Sequence, residues 1–293
     1  THRGCYGQCH FCSIGVHEGT TVTWRSEGSV VKEAESMTKT PGFKGIIHDL
    51  GGPTANMYGY ECGKKLQKGI CRDKRCLTPQ PCKSLKPDHS AQIRLLDRVR
   101  RVEGVRKVFV SSGIRYDLIL EDNNTGKPYL QKVVGHHTGG QMKVAPEHSV
   151  PQVLKLMGKP PVDSLLQFKS LFDRTTRESG KKQFLTYYLI AAHPGCRMED
   201  MKQLRHFTGS ALKINPRQVQ IFTPTPSTVS TLMYCTGLDP FTGKPVFVER
   251  NMKNREKQKA QMFKTFRGTG PEKRKHKRRK TNGKKGDEPG KNP

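Results

Sequence analysis

Residues 162–195 read VDSLLQFKSLFDRTTRESGKKQFLTYYLIAAHPG, and the pattern changes once, at Gly180. Before that glycine the run is helical, and the glycine closes it. After it, KQFLTYYLIAAHPG (182–195) is a strong strand. Helix, glycine, strand is half of a crossover unit, and the same unit repeats outward in both directions. Upstream stand a strand at GGQMKVAPEH (139–148) and a helix at VPQVLKLMGK (150–159). Downstream follow a helix at MEDMKQLRHFTGSAL (198–212) and a strand at RQVQIFTPTPST (217–228) with a polar carboxyl end. Further upstream, VRKVFVSSG (105–113) is a strand preceded by the amphipathic helix AQIRLLDRVRRVEG (91–104), in which Ile93, Leu96, Val99 and Val102 share a face and Gly104 ends the run. FKGIIHDLGG (43–52) is a short buried strand entering a glycine turn, and SVVKEAESMTKT (29–40) is a helix that stops before Pro41.

Five strands alternating with helices argue for an α/β fold with a parallel sheet, either open or rolled into a barrel. In both, ligands sit outside the carboxyl ends of the strands. Polar and glycine residues gather at those ends: Gly51 and Gly52, Ser112 and Arg115, Glu147 and His148, His193, and Thr223 to Thr225. A single polar loop is ordinary. Five polar strand ends together define a candidate site.

A second signal stands at RGCYGQCHFC (3–12), which places Cys5, Cys9 and Cys12 in a C-x-x-x-C-x-x-C pattern. A disulfide framework needs an even number of thiols, and a closed zinc site needs four ligands. Three thiols from one loop suit a metal centre with one open position. Nine cysteines at such spacings indicate cytoplasmic metal chemistry rather than secreted bridges. No apolar run reaches the length of a membrane span, so no membrane partner is expected. The net charge is +28, and residues 251–293 hold sixteen Lys and Arg against four Asp and Glu. That tail, including GPEKRKHKRRKTNGKKGDEPGKNP, has almost no apolar surface to offset its ordering entropy and is expected to be disordered. Without interleaved aromatic residues it would contact RNA only non-specifically.

An irregular insert, 53–90, carries a second thiol group: Cys62, Cys71, Cys76 and Cys82. Four thiols in a long polar loop suggest a metal staple, either structural zinc or a second iron–sulfur cluster, and the spacing does not choose between them. Lys64, Lys65, Lys68, Arg72, Lys74 and Arg75 would offset the thiolate charge. Cys196 and Cys235 belong to neither group and read as packing thiols.

The cysteine triad at the head of a βα array resembles the radical S-adenosylmethionine superfamily. The stretches DLGGPTANMYGYECG, VFVSSGIRYDLIL, HHTGGQMKVAPEH, YYLIAAHPGC and QVQIFTPTPSTVSTLMYCTGLDPFTGKPV resemble its YgiQ family, over about residues 1–250. The resemblance implies a partial (β/α)6 TIM-like barrel, with the family's C-terminal region starting at about 213–250. It implies that Cys5, Cys9 and Cys12 bind a 4Fe-4S cluster whose fourth iron is chelated by S-adenosylmethionine. Reductive cleavage would then give a 5′-deoxyadenosyl radical that abstracts hydrogen from a substrate the sequence does not reveal. An electron donor such as flavodoxin or ferredoxin would be the partner. Tyr6 and Phe11 would shield the cluster and flank the adenine.

By the same resemblance, the backbone of Gly51 and Gly52 would accept the methionine ammonium, since glycine permits close approach. Ser112 and Arg115 would approach the methionine carboxylate or ribose, Arg115 by a bidentate pair, unless Arg115 and Asp117 form a surface charge pair. Glu147 would accept from ribose hydroxyls. His136, His137 and His148 are further candidates for substrate contact. Pro53 departs from the glutamate that often follows the glycine pair. The family's first strand, upstream of Cys5, is expected to be missing, leaving 43–50 as an open edge and the chain as a fragment. Two other readings stand beside the enzyme: a non-catalytic, metal-stapled RNA-binding module, and an inert fragment.

Overall fold

The structure, a computed structural model, describes residues 1–263. A short antiparallel pair opens the chain: β1 (His2–Arg3) lies against β2 (Thr23–Trp24) and closes a loop around α1 (Ile14–His17). Next come α2 (Glu27–Thr38), capped by the Ser26 side chain, and β3 (Ile46–Ile47). Within the insert lies α3 (Gly63–Lys68). Then follow α4 (Ser90–Arg100), β4 (Lys107–Val108), α5 (Tyr116–Glu121), α6 (Gly126–Lys132) and a π-helical turn at Val133–His137. The second half runs β5 (Gln141–Glu147), α7 (Pro151–Met157), α8 (Asp163–Glu178), β6 (Phe184–Ala191), α9 (Met198–Ser210), β7 (Gln218–Ile221), α10 (Val229–Thr236) and α11 (Met252–Gln261).

All five expected strands form, and they pair in parallel in chain order. One sheet holds β3–β4 and the other β5–β6–β7. A parallel bridge between Ile114 and Val144 and a bond from Val110 N to the His137 carbonyl join the two. The sheets are small and none closes on itself. On its free side β3 faces Val30, Ala34 and Met37 of α2 across an open groove of about 360 Å3. No helix among the described residues is long and apolar enough to cross a membrane.

The core forms where the helices cover the sheet. Leu165, Phe168 and Phe172 of α8 pack with Tyr116, Tyr129 and Leu130 against Met142, Val144, Leu185 and Tyr187 of β5 and β6. Along β6 burial alternates strictly, because successive side chains take opposite faces. In α4 the fully buried set is Leu95, Leu96 and Val99, while Ile93 and Val102 lie at its margin.

Two expectations change. The insert is not apolar-poor throughout. Its flanks bury Ala55, Met57, Tyr58, Tyr60, Leu77 and Leu85, and α3 forms inside it. Between the strand expected at 105–113 and the next one, the chain folds into two short helices, α5 and α6. Disorder from 251 onward is also corrected, because residues 252–261 form α11. Arg255, Gln258 and Met262 are buried at helical spacing, and the Arg255 guanidinium donates to the Phe222 carbonyl. The high charge of the segment hides that one face. The remainder of the basic tail, 264–293, and any RNA contact through it lie outside the described residues.

Two glycines predict opposite responses to one substitution. A Cβ on Gly126 would stand 2.1 Å from the Ile119 carbonyl oxygen, between α5 and α6. Gly126→Ala should cost about 1–3 kcal/mol, as other overpacking substitutions do. Gly28, in the first turn of α2, has nothing within 4 Å of its would-be Cβ. Gly28→Ala should therefore gain about 0.5–1 kcal/mol. Urea unfolding of both variants checks the pair, and equal signs would contradict the packing described.

Candidate active site

The cysteine loop owes its shape to close backbone contacts. Gly4 has φ +84, and a Cβ there would fall 2.3 Å from the Thr21 carbonyl oxygen. Cys5 N donates to Gly19 O, His10 N to Met157 O, and Ser230 N to His10 O. The loop is thus pinned at its base, on α7 and on α10.

So held, it lies over the carboxyl ends of the parallel strands. Beyond β3, Cys5 Sγ is 3.4 Å from Thr54 Oγ1. Beyond β4, Arg115 Nη1 reaches Cys9 Sγ at 3.8 Å. Near the end of β5, burial raises the Cys12 thiol pKa, and the Glu147 carboxyl adds a small push in the same direction. Beyond β6, the Phe11 ring meets His193 edge-on at 6.2 Å. All three thiols are half-buried and free of disulfides.

Gly7 makes room between the sulfurs. A Cβ on it would lie 3.2 Å from Cys5 Sγ, 3.6 Å from Cys9 Sγ and 2.8 Å from Arg115 Nη1, and its own N–H donates to Cys5 Sγ at 3.3 Å. Three thiols of one loop, a space kept by a missing side chain, and an N–H···S bond fit a thiophilic metal centre with one open position. The thiols do not meet at one point: among the described residues, no three His, Cys, Asp or Glu side chains stand close enough to share an ion.

Arg115 and Asp117 form a pair, and it is buried rather than on the surface. Nε and Nη2 donate to the two carboxylate oxygens at 2.9 and 2.5 Å. Burial alone would raise the Asp117 pKa, but the guanidinium and its hydrogen bonds hold it below the usual carboxylate range. The fork of Arg115 is therefore engaged by Asp117, and Nη1 is the part turned to the cysteine loop. Asn56 grips the Arg115 backbone from both sides, accepting from N at 2.8 Å and donating to O at 3.0 Å.

Gly51 and Ser112 are neighbours: a Cβ on Gly51 would lie 2.9 Å from Ser112 Oγ. Ser112 donates to Asp49, and the Gly51 carbonyl accepts from Thr1 Oγ1 at 2.8 Å. Gly52 abuts the His2 ring. Glu147 is buried, has φ +67, and has its pKa raised to about 7 by burial, with Lys159 and Arg115 pulling the other way. Buried His148 and His193 have their pKa values lowered to about 3 by burial. His193 shares a 2.7 Å hydrogen bond with Ser230 Oγ, and Thr225 O accepts from Thr228 and Thr231 in the turn before α10.

Other candidates lie elsewhere. His136 and His137 sit on the π-helical turn before β5, with His137 Nδ1 on the Val108 carbonyl. Tyr6 is wholly buried in a cluster against which Cys5 packs, with its hydroxyl on the Tyr60 carbonyl. Sequence reading missed Asp49, Thr54, Asn56 and Lys159, the last a buried ammonium on the Ala145 carbonyl at 2.6 Å. Asp49, Thr54 and Asn56 flank Gly51-Gly52 in the chain, which is the signal that could have found them.

Comparison with known proteins adds similarity without a stated activity. Residues 217–270 match a family model described as a domain of unknown function, DUF3362. The chain is 52% identical to a UPF0313 protein of Fusobacterium nucleatum over 88% of this chain and 46% of that one. It is 46% identical to a UPF0313 protein of Thermotoga neapolitana, over 93% and 47%. For one from Methanocella arvoryzae the identity is 45%, over 89% and 43%. The chain spans about half the length of these relatives. Among solved structures, a cobalamin-dependent S-adenosylmethionine radical enzyme, OxsB, gives a TM-score of 0.47 at 16% identity, over 84% of this chain and 31% of that one. A likeness that low decides neither fold nor chemistry.

The Glu147 carboxyl predicts a pH signature. In the folded chain it holds its proton to about pH 7, against an ordinary value of 4.5. Above that window both folded and unfolded chains are ionised, and the buried charge opposes folding. As pH falls from about 7 to about 4.5, the folded chain takes the proton first and this contribution to stability rises. Glu147→Gln should be more stable than wild type at about pH 8, by up to about 3 kcal/mol, with the gain shrinking toward about pH 5. Urea titrations across that range test it, and a gain independent of pH would sink the assignment.

Proposed function

We propose that this chain is the core of a radical S-adenosylmethionine enzyme of the YgiQ family, cytoplasmic, with a partial (β/α)6 barrel arrangement. The observation that carries the reading is the single-loop group of Cys5, Cys9 and Cys12 lying across the carboxyl ends of consecutive parallel strands. Those three thiolates would hold a 4Fe-4S cluster with S-adenosylmethionine at its open position. When bound and reduced by one electron, the cluster supplies the electron that breaks the sulfonium C–S bond, giving methionine and a 5′-deoxyadenosyl radical.

The chain's own residues orient and shield. Carbonyls at Gly51 and Gly52 offer acceptors for an ammonium, and glycine permits the close approach such a contact needs. Ser112 offers a hydroxyl beside them. Arg115, fixed by Asp117 and Asn56, puts positive charge next to Cys9. Glu147 faces the same space from β5 and would accept from ribose hydroxyls. The buried rings of His148 and His193 exclude water beneath the loop. A one-electron donor such as flavodoxin or ferredoxin would complete the system.

Anaerobic iron and sulfide reconstitution, followed by reduction and EPR with and without S-adenosylmethionine, tests this reading. Wild type should show a cluster signal that shifts on adding S-adenosylmethionine, and it should form 5′-deoxyadenosine. A Cys5/Cys9/Cys12→Ala triple variant should lose the response to S-adenosylmethionine and the 5′-deoxyadenosine. A triad-independent signal with no 5′-deoxyadenosine would overturn the proposal.

A further inference from the structure

Cys62, Cys71, Cys76 and Cys82 take no part in the site just described. They span 21 positions of the insert, yet all four line one cavity of about 50 Å3. None is in a disulfide: Cys62 is buried, and the other three are half-buried. The backbone joins two of them directly, with Cys82 N donating to Cys76 O at 2.8 Å, and Cys62 is fixed at the N-terminus of α3. Backbone of Ser84 and Leu85 faces the Cys82 sulfur.

Charge is arranged to match. Lys65 is almost wholly buried, pairs with Glu61 at 3.1 Å, donates to the Thr20 carbonyl at 2.8 Å, and acts on the Cys76 thiol. Lys64, Lys74 and Arg75 line the same cavity. Four thiolates on a divalent centre would carry net negative charge, and these cations would offset it.

The segment also needs a clip. Between α3 and α4, residues 69–89 contain neither helix nor strand. Leu77 and Leu85 are nonetheless driven into a buried cluster with Tyr6, Val22, Met57, Tyr60, Cys62 and Leu118. A loop of that length without regular structure is costly to hold by two leucines alone.

We propose that Cys62, Cys71, Cys76 and Cys82 form a second and closed metal site. It is a tetrathiolate for one thiophilic centre, a zinc ion or a 4Fe-4S cluster, that clips the insert against the loop bearing Cys5, Cys9 and Cys12. As with the first triad, the four sulfurs surround a space without meeting at one point, so ligation requires side-chain rotation about the cavity. The site does not depend on the radical reading, since Gln8 of the first loop touches its cavity but none of the first three thiols lines it.

The test uses the full chain carrying Cys5/Cys9/Cys12→Ala, which removes the first thiol group. Anaerobically purified protein should retain about one zinc, or about four iron with four sulfide, per chain, which separates the two centres. Metal-free protein titrated with Co2+ should develop thiolate charge-transfer and tetrahedral absorption. Adding Cys76→Ser and Cys82→Ser should abolish both.

A second measurement leaves the insert thiols intact, in case those variants misfold. Alkylation mapped by mass spectrometry should find the four insert thiols protected in the metal-loaded protein and reactive after chelation. Exposed Cys235 should react in both states. Metal content near zero with no Co2+ thiolate absorption, or retention and protection that survive loss of Cys76 and Cys82, would overturn the site.

Discussion

The arrangement depends on a buried charge being kept in place. Arg115 and Asp117 are both almost fully enclosed, and each would be prohibitive alone in that surrounding. Removing one partner of such a pair typically costs about 3–5 kcal/mol. Their mutual fork makes the burial tolerable, and a chain of polar contacts makes it rigid. Asn56 holds the Arg115 backbone and lies 3.1 Å from His89, whose other ring nitrogen is 2.7 Å from Asp122. That chain links the turn after β3, the start of α4 and both ends of α5. It also aims the free nitrogen of Arg115 at Cys9. Fold and site therefore share one electrostatic keystone.

Burial does the rest of the tuning. Glu147 and His148 are adjacent at the end of β5 and are both deprived of water, so each is shifted toward its neutral form. For the carboxyl this means a raised pKa, and for the imidazole a lowered one. The register shift between Val144 and Glu147, and the left-handed φ of Glu147, turn the strand just where the cysteine loop crosses it. Strain of that kind persists only where packing over-determines it. Here Lys159 supplies part of the restraint, holding the Ala145 carbonyl.

What the sequence disclosed follows from which forces are local. The β6 strand, α8 and α9 were legible because periodic burial writes itself into every turn, as in the alternation from Phe184 to Ala191. The polar strand ends were legible for the same topological reason. The pairing of Arg115 with Asp117 was legible too, two residues apart, but its burial and the distant partners of the other groups were not. Nothing local announces that Arg115 is enclosed with Asp117, or that Asp49 reaches Ser112, because both depend on chain brought in from elsewhere. The α11 helix escaped notice because only Arg255, Gln258 and Met262 are buried in it, and two of those are polar. Gln258 earns its place through bonds to Ala192 N and Cys196 O, not through hydrophobicity. The partial barrel implied by resemblance is likewise not legible in the hydrogen bonding, where two short parallel sheets meet through the Ile114–Val144 bridge and the Val110–His137 bond.

The two thiol groups are not independent ornaments, because Tyr6 stands between them. Its ring is wholly buried, its hydroxyl is satisfied by Tyr60, and the Lys65 ammonium lies 4.8 Å from the ring centroid. Cys5 of the first group and Cys76 of the second both pack against the cluster that contains it. Any movement of the insert therefore bears directly on the residue that follows Cys5. Protein interiors are close-packed and transmit such shifts instead of absorbing them. The position of the first three thiols is thus set from two sides: by Arg115 and the strand ends beneath, and by the insert packed through Tyr6 beside them. A loop with no regular secondary structure of its own can hold its thiols in place only when both constraints act together.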